Sequence, residues 1–220
     1  MPALIAHRGF AGDHPENTLG AFRAAAGTAA MLELDVRRCG SGEVVVFHDA
    51  ELGRVTGRRG AVAETPYDVL ADCEVLDSGE GVPLLADVFA AVPPSVGVNV
   101  ELKTVDVAAD AAELAAAASH DVVVSSFRPD ALRAVAGVAD DLPLAHLFLP
   151  EADDPIGRAR SLGCDYLHPP KAVADADLVE AAHDRGLGVN AWTVKTPAEA
   201  TRLVAAGVDG LIADHGDVLG

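Results

Sequence analysis

The segment Ala3-Leu4-Ile5-Ala6-His7-Arg8-Gly9 begins as a short apolar run and ends in an imidazole, a guanidinium and a glycine. The run predicts a buried strand, and a helix is predicted to start near Glu16-Asn17. His7 and Arg8 are costly to bury in a core, so we expect them at the end of the strand, facing a ligand. Arg8 suits a bidentate oxyanion such as phosphate, and Gly9 permits close approach of the backbone. A surface turn that happens to carry these side chains is the alternative.

The alternation of strand and helix continues to the end of the chain. Most predicted strands are rich in Val and Leu and uniformly apolar, which is typical of parallel strands buried on both faces. The predicted strands are 3–7, 31–36, 44–48, 97–102, 121–126, 143–148, 164–168, 187–192 and 209–213. Ala-rich helices are predicted at 17–30, 106–119, 129–137, 154–162, 175–185 and 197–206. Repeated strand–helix units of this number predict an α/β fold of the TIM (β/α)8 barrel type.

Two features depart from a regular barrel. No helix separates strands 31–36 and 44–48, so one predicted strand is expected to lie outside the regular pattern. Residues 49–96 contain no clear strand; they predict a loop at 54–60 and short helices near 66–72 and 84–91. We interpret 49–96 as a small insertion, too short for a second folded domain, and expect residues 1–220 to form a single barrel domain.

Charge and composition exclude several classes of protein. The formal net charge is -18, and that field repels nucleic acids and anionic membranes. No apolar run approaches the ~20 residues of a membrane span, and the early first strand leaves no room for a signal peptide. Cys39, Cys73 and Cys164 are far apart and lack CxxC spacing, so we expect free thiols in a reducing cytoplasm. The acidity favours a protein adapted to a salty, halophilic cytoplasm, with an ordinary acidic bacterial protein as the alternative.

Carboxylates interrupt two of the apolar strands. Glu33 and Asp35 are two positions apart and share one face of their strand. Two anions that close repel unless a cation lies between them, and a hard divalent cation fits best, with an Arg pair as the structural alternative. Glu101 and Lys103 repeat the spacing on a later strand, where Glu101 could be a third metal ligand and Lys103 could hold an anionic oxygen. A simple Glu–Lys pair is the alternative there.

Further polar and aromatic residues fall at strand ends. His48-Asp49 ends the strand 44–48, and Asp49 either orients this second imidazole or begins the next turn. Trp192, the only tryptophan, is either a hydrophobic wall for substrate or core filling. His14 and His168 are secondary candidates for the same site. These side chains are expected at the carboxyl end of the barrel, where barrel active sites form, and together they predict metal-assisted phosphodiester cleavage.

The chain resembles the glycerophosphodiester phosphodiesterase family, whose motifs it carries in order along almost its whole length. The matching pieces are His7-Arg8-Gly9, Pro15-Glu16-Asn17-Thr18, Glu33-Leu34-Asp35-Val36, His48-Asp49, Glu101-Leu102-Lys103, Ser125-Ser126-Phe127, Trp192-Thr193-Val194 and Gly207-Val208-Asp209-Gly210. The sequence departs from the family pattern in three places. Lys195 stands where the family often has Asn, and Ala213-Asp214-His215-Gly216 stands where Thr-Asp-Tyr-Pro is more usual. Residues 82–87 match the family's Ile-Pro-Thr-Leu-x-Glu only in part. They leave the alcohol specificity open.

The resemblance implies a barrel related to phosphatidylinositol-specific phospholipase C that hydrolyses glycerophosphodiesters to glycerol phosphate and an alcohol. Carried over by motif, His7 and His48 are the acid–base pair, and Glu33, Asp35 and Glu101 bind one divalent cation, magnesium or calcium, with manganese also compatible with oxygen ligands. Phosphate or substrate contacts fall to Arg8, Lys103, Asn17 and Trp192.

Two other functions compete with this one. A phospholipase acting on lipid phosphodiesters is disfavoured by the acidic surface and the absence of an apolar anchor. A non-catalytic barrel that binds phosphorylated metabolites would have lost a histidine or a metal carboxylate, and none is lost. The expected partner is a small-molecule glycerophosphodiester.

Overall fold

The computed structural model describes all residues, 1–220, and confirms the barrel. Eight parallel strands close into a cylinder because the first and second strands pair with each other as well as with their outer neighbours. The strands are β1 (Ala3–His7), β2 (Met31–Arg38), β3 (Val44–Val46), β4 (Gly97–Leu102), β5 (Val122–Ser126), β6 (Leu144–Leu147), β7 (Tyr166–His168), β8 (Gly188–Val194) and β9 (Gly210–Ala213). All nine predicted strands are present.

The strand outside the regular pattern is β3. It pairs only with β2, in antiparallel register with Val36 opposite Val46. The connection between the two strands is a short turn, and a turn of this length permits an antiparallel hairpin, whereas a parallel pair needs a crossover of a dozen or more residues. β2 is therefore a strand of the barrel, and β3 pairs with the end of β2 that extends beyond the barrel.

The helices follow the predicted order and fill the gaps between strands. They are α1 (Leu19–Ala25), α2 (Gly53–Thr56), α3 (Tyr67–Ala71), α4 (Leu85–Ala91), α5 (Ala108–Ala117), α6 (Pro129–Ala136), α7 (Pro155–Ser161), α8 (Ala176–His183) and α9 (Pro197–Ala206), with a 3-10 helix at Val62–Glu64. The prediction of a simple loop at 54–60 is wrong at its start, because α2 covers 53–56 before the chain turns at Gly57. The predicted helix 17–30 begins later, at Leu19, where the Thr18 side chain accepts a hydrogen bond from the backbone of Ala21.

Two hydrophobic cores lie on opposite sides of β3. The larger one fills the layer between the barrel and its helices, and it includes Val44 and Val46. The smaller one belongs to the insertion and includes Val45, Leu52 and Val55. Alternate residues of β3 thus face the two cores, as the two-residue period of a strand requires. The insertion is held beside the carboxyl end of the barrel by its own apolar cluster. None of the α-helices combines the length and the hydrophobicity of a membrane span.

Candidate active site

Strand register brings the predicted polar residues together inside one end of the barrel. His7 on β1 is paired with Glu33 on β2, and Asp35 on β2 is paired with Glu101 on β4. Paired residues of neighbouring parallel strands point to the same side of the sheet. The two carboxylates of β2 therefore face the barrel interior, with an imidazole on one side and a third carboxylate on the other.

The turn after β1 places Arg8 over these carboxylates. Arg8 has a φ of 50° and Gly9 a φ of 77°, so the chain reverses sharply as the strand ends. A Cβ on Gly9 would lie 2.8 Å from Cβ of Ala21 on α1, which explains the glycine by both conformation and space. The reversal aims the Arg8 backbone N–H at Oε2 of Glu33, at 3.0 Å.

Asn17 lies behind the carboxylates and outside the lining of the central cavity. Its Nδ2 donates to Oδ2 of Asp35 at 3.0 Å, and the residue is buried with a φ of 57°. Asn tolerates this left-handed conformation better than most residues. We expected Asn17 among the substrate contacts; it does not line the central cavity. Its position makes it a support for Asp35.

Three buried carboxylates form the centre of the site. Glu33, Asp35 and Glu101 each offer an oxygen, and these atoms all lie within 4.8 Å of one another. Asp35 is paired with Arg8 Nε at 3.0 Å and with Lys103 Nζ at 3.0 Å. Lys103 Nζ also donates to Glu101 Oε1 at 2.5 Å. The cationic pairing that is the alternative to a metal is therefore present around Asp35. Glu33 accepts only the Arg8 backbone hydrogen bond, and Nε2 of His7 lies 4.0 Å from its Oε2.

The three carboxyl groups differ in pKa because their surroundings differ. Burial, followed by repulsion from Asp35 and Glu101, raises the pKa of Glu33 well above its usual range. Burial and Asp35 raise the pKa of Glu101 to about 7. Burial also opposes ionisation of Asp35, but Lys103 and Arg8 outweigh it and hold the pKa of Asp35 below its usual range. Glu33 has no cationic side chain as close as those beside Asp35, so its ionisation is unfavourable in this cluster, and a cation bound beside it would favour the ionised form.

His7 is paired with a carboxylate from the last strand. Its Nδ1 lies 2.6 Å from Oδ1 of Asp214, the residue that follows β9. The other oxygen of Asp214 lies 3.2 Å from Nζ of Lys195. Burial alone would raise the pKa of Asp214, but the hydrogen bond with His7 lowers it to about 2. An ionised carboxylate only accepts hydrogen bonds, so Nδ1 of His7 carries the proton.

His48 is held in the same way from the other side of the cavity. Its Nδ1 lies 2.7 Å from Oδ1 of Asp49, so Asp49 does orient the second imidazole. Oδ2 of Asp49 accepts from Nε of Arg54 at 2.5 Å. Burial lowers the pKa of His48, which favours the neutral ring.

One cavity of about 170 Å³ is lined by most of the predicted residues. Its polar wall carries His7, Arg8, Glu33, His48, Glu101 and Lys103, and its apolar wall includes Phe127, Leu147, Trp192 and Ile212. Trp192 packs edge-on against Phe127, with ring centroids 5.5 Å apart. Its indole N–H donates to the carbonyl of His168 at 2.8 Å. Trp192 is therefore a fixed part of the cavity wall.

The comparisons with known proteins agree with this geometry. The model of the glycerophosphoryl diester phosphodiesterase family matches residues 7–218. The chain belongs to this family. A glycerophosphodiester phosphodiesterase from Caldanaerobacter subterraneus subsp. tengcongensis is 31% identical, over 98% of this chain and 95% of the relative. One from Bacillus altitudinis is 28% identical, over 99% of this chain and 96% of the relative.

A solved relative also binds the product of such a reaction. It is a phosphodiesterase from Oleispira antarctica in complex with sn-glycerol-3-phosphate, with a TM-score of 0.92 and 26% identity, covering 100% of this chain and 96% of that one. The resemblance inferred from the motifs and the barrel fold are thus both confirmed.

Some residues around the candidate site were not singled out from the sequence. Asp214 follows an apolar strand just as His7 and His48 do, so the same signal was available for it. Arg54 gave no such signal, and Glu16 was assigned no role although it falls in a matching motif, because the contacts between them depend on how the insertion folds. His168 lines the cavity and is buried, which lowers its pKa to about 3, whereas His14 does not reach the cavity.

Proposed function

We propose that this protein hydrolyses glycerophosphodiesters to glycerol phosphate and an alcohol, with a divalent cation and two histidines. The observation that carries the proposal is the single cavity in which two imidazoles, each held by a carboxylate, face an acidic cluster at the carboxyl end of a barrel. Membership of the family and the product complex of the Oleispira antarctica phosphodiesterase support the substrate class.

His7 and His48 supply the proton transfers. Because Asp214 and Asp49 occupy the two Nδ1 atoms, each ring acts through Nε2. One ring takes a proton from the nucleophile through this nitrogen, and the other gives a proton to the leaving alcohol oxygen. Transfers of this kind contribute ~10²–10⁴-fold to a rate.

Glu33, Asp35 and Glu101 would hold the cation. The fit rests on the chemistry of the donors, which are all carboxylate oxygens and lie within 4.8 Å of one another. It rests also on Glu33, a buried carboxylate that lacks a cationic partner as close as those of Asp35. Hard cations such as magnesium, calcium and manganese prefer oxygen ligands. When bound, the cation supplies Lewis-acid stabilisation of charge on the phosphate oxygens.

Arg8 and Lys103 complete the binding of the phosphate. Both line the cavity and both are fixed in place by Asp35. Cations that are held before the substrate arrives stabilise developing charge without reorganising. Trp192 and Phe127 form an apolar wall, which suits the carbon skeleton of the substrate.

The test is release of glycerol phosphate from glycerophosphocholine by the purified protein with a divalent cation. We expect turnover by the wild type and loss of turnover in His48→Ala, with His14→Ala as the matched control because its imidazole lies outside the cavity. No release from any glycerophosphodiester with magnesium, calcium or manganese, combined with tight binding of glycerol phosphate, would instead support the non-catalytic barrel.

A further inference from the structure

Arg54 is a charged side chain of the insertion that reaches two carboxylates beside the cavity, those of Asp49 and Glu16. Its Nε donates to Oδ2 of Asp49 at 2.5 Å. Its two terminal nitrogens donate to the two oxygens of Glu16, each at 2.7 Å. All three guanidinium nitrogens are thus engaged by carboxylates in the planar fork geometry that Arg favours.

The two carboxylates that Arg54 holds each support a different residue of the cavity. Asp49 accepts from Nδ1 of His48 through its other oxygen, at 2.7 Å. Glu16 accepts from Nη1 of Arg8 at 3.0 Å. Arg54 therefore lies between the imidazole and the guanidinium of the site without lining the cavity itself.

The backbone that carries Arg54 is fixed by the small core of the insertion. Leu52 and Val55, on either side of it, are buried in that core. The carbonyl of Val55 accepts from the backbone of Leu76 at 2.8 Å, and the backbone of Leu52 donates to the carbonyl of Gly60 at 2.9 Å. The insertion has an apolar cluster of its own. The guanidinium of Arg54 extends from this cluster and donates to Asp49, the partner of His48.

We propose that Arg54 is a positioning residue that sets the orientation and the tautomer of His48 through Asp49. This inference rests on the proposed function, in which His48 acts through Nε2. Without Arg54 the Asp49 carboxylate keeps only its hydrogen bond with His48 and is free to rotate away from the ring. The second carboxylate oxygen, fixed by Arg54, is what keeps Oδ1 aimed at Nδ1.

The alternative is an ordinary surface ion pair, since the Arg54 side chain is 48% exposed. Exposed pairs contribute little to folding stability, so melting temperature does not separate the two interpretations. Turnover and the state of the His48 ring do separate them, because a surface pair affects neither.

The experiment compares Arg54→Gln with Arg54→Lys and with Arg58→Gln. Arg58 is the matched control, since it lies in the same insertion and bonds only the Asp72 carbonyl, at 3.0 Å. Loss of a group that orients a functional imidazole costs ~10–100-fold, so we expect kcat to fall by about that factor in Arg54→Gln. KM should change less, because Arg8 keeps its contact with Asp35. Arg54→Lys should recover part of the loss, and Arg58→Gln should match the wild type.

Two further measurements test whether Arg54 acts on His48 through Asp49. In a double-mutant cycle, kcat of the Asp49→Asn, Arg54→Gln double variant should be no lower than kcat of Asp49→Asn alone. Both changes break the same chain of hydrogen bonds, from Arg54 through Asp49 to His48. In ¹⁵N spectra of the imidazoles, His48 should be a single Nδ1–H tautomer in the wild type and a mixture in Arg54→Gln. This spectrum is independent of turnover, so it tests the inference even if the proposed reaction is wrong. Wild-type kcat in Arg54→Gln, additive losses in the cycle, or an unchanged His48 tautomer would each overturn the proposal.

Discussion

Nδ1 of His7 and Oδ1 of Asp214 lie 2.6 Å apart although the two residues are 207 positions apart in the chain. They meet because β1 and β9 are neighbours in the closed barrel. The pairing leaves Nε2 of His7 as the atom available to a substrate. It also makes the acid–base role that we propose for this histidine dependent on a residue at the opposite end of the sequence.

Asp214→Asn should lower kcat by ~10²-fold or more, because the amide N–H₂ can face Nδ1 and favour the wrong tautomer of His7. The measurement is steady-state turnover of a glycerophosphodiester, with the fold checked by circular dichroism. Asp13→Asn is the matched control, since Asp13 pairs with His215 at 2.7 Å in an exposed His–Asp pair outside the cavity. Equal activity in both variants would remove Asp214 from the mechanism.

His7→Ala and His48→Ala should each lower kcat by ~10² or more, because each removes one proton transfer. Both side chains are partly exposed in the cavity, so folding stability should change little. Turnover and thermal melting measured on the same preparations check both expectations. A variant of either histidine that turns over at near the wild-type rate would refute the acid–base assignment.

Most of the barrel could be predicted because parallel strands buried on both faces are apolar along their length. Against that background, a polar residue such as Glu33 or Glu101 is conspicuous, and strand alternation places it on the inner face. The missing helix between 31–36 and 44–48 predicted that one of these two strands lies outside the barrel. Only the structure could show which of the two adjoining strands that would be.

Contacts that depend on the insertion could not be predicted. The helix α2 has four residues, too few for a periodic pattern. One partner of Arg54, Asp49, lies just before this helix, and the other, Glu16, comes from a distant loop. Asn17 illustrates a different limit. The motif placed it at the site, but only the geometry shows that its amide supports Asp35 instead of lining the cavity.

Stability should depend on pH through His168. Its pKa is lowered to about 3 by burial, whereas an unfolded histidine titrates near ~6.5. The unfolded state therefore binds the proton first, and the stability that this residue contributes is complete above pH ~6.5 and is lost as pH falls toward ~3, at about 1.4 kcal/mol per pH unit.

Urea unfolding of the wild type and of His168→Gln between pH 7 and pH 5 measures this effect. The free energy of unfolding should fall more steeply with decreasing pH in the wild type, since the variant lacks the titrating ring. His146 is present in both proteins, and its charge also disfavours protonation of His168, so the comparison includes that interaction. Parallel curves would show that His168 does not titrate differently in the two states.

Salt should stabilise the whole fold if the acidic composition is an adaptation. Acidic residues number 34 against 16 Lys and Arg, and at ~1 M salt the Debye length of ~3 Å screens most repulsion between surface charges. We expect the melting temperature to rise steadily from low salt to molar KCl. A flat or falling curve would favour an ordinary acidic protein.

Divalent cations should raise the melting temperature through the acidic cluster, because a ligand that binds only the native state stabilises it by RT ln(1 + [L]/Kd). Glu33→Gln should abolish this rise and leave the metal-free protein as stable as the wild type or more so, since the charge of Glu33 is opposed by its neighbours. Asp35→Asn should also abolish the rise but lower the metal-free melting temperature, because Arg8 and Lys103 lose their shared partner. An unchanged metal-induced rise in both variants would place the cation elsewhere.

The most direct test of the central claim is turnover of glycerophosphocholine by protein stripped with EDTA, before and after magnesium, calcium or manganese is restored. The account predicts that stripping abolishes release of glycerol phosphate and that at least one of these cations restores it in the wild type. Glu33→Gln should stay inactive at every cation concentration. Full activity in the stripped, metal-free wild type would contradict the account.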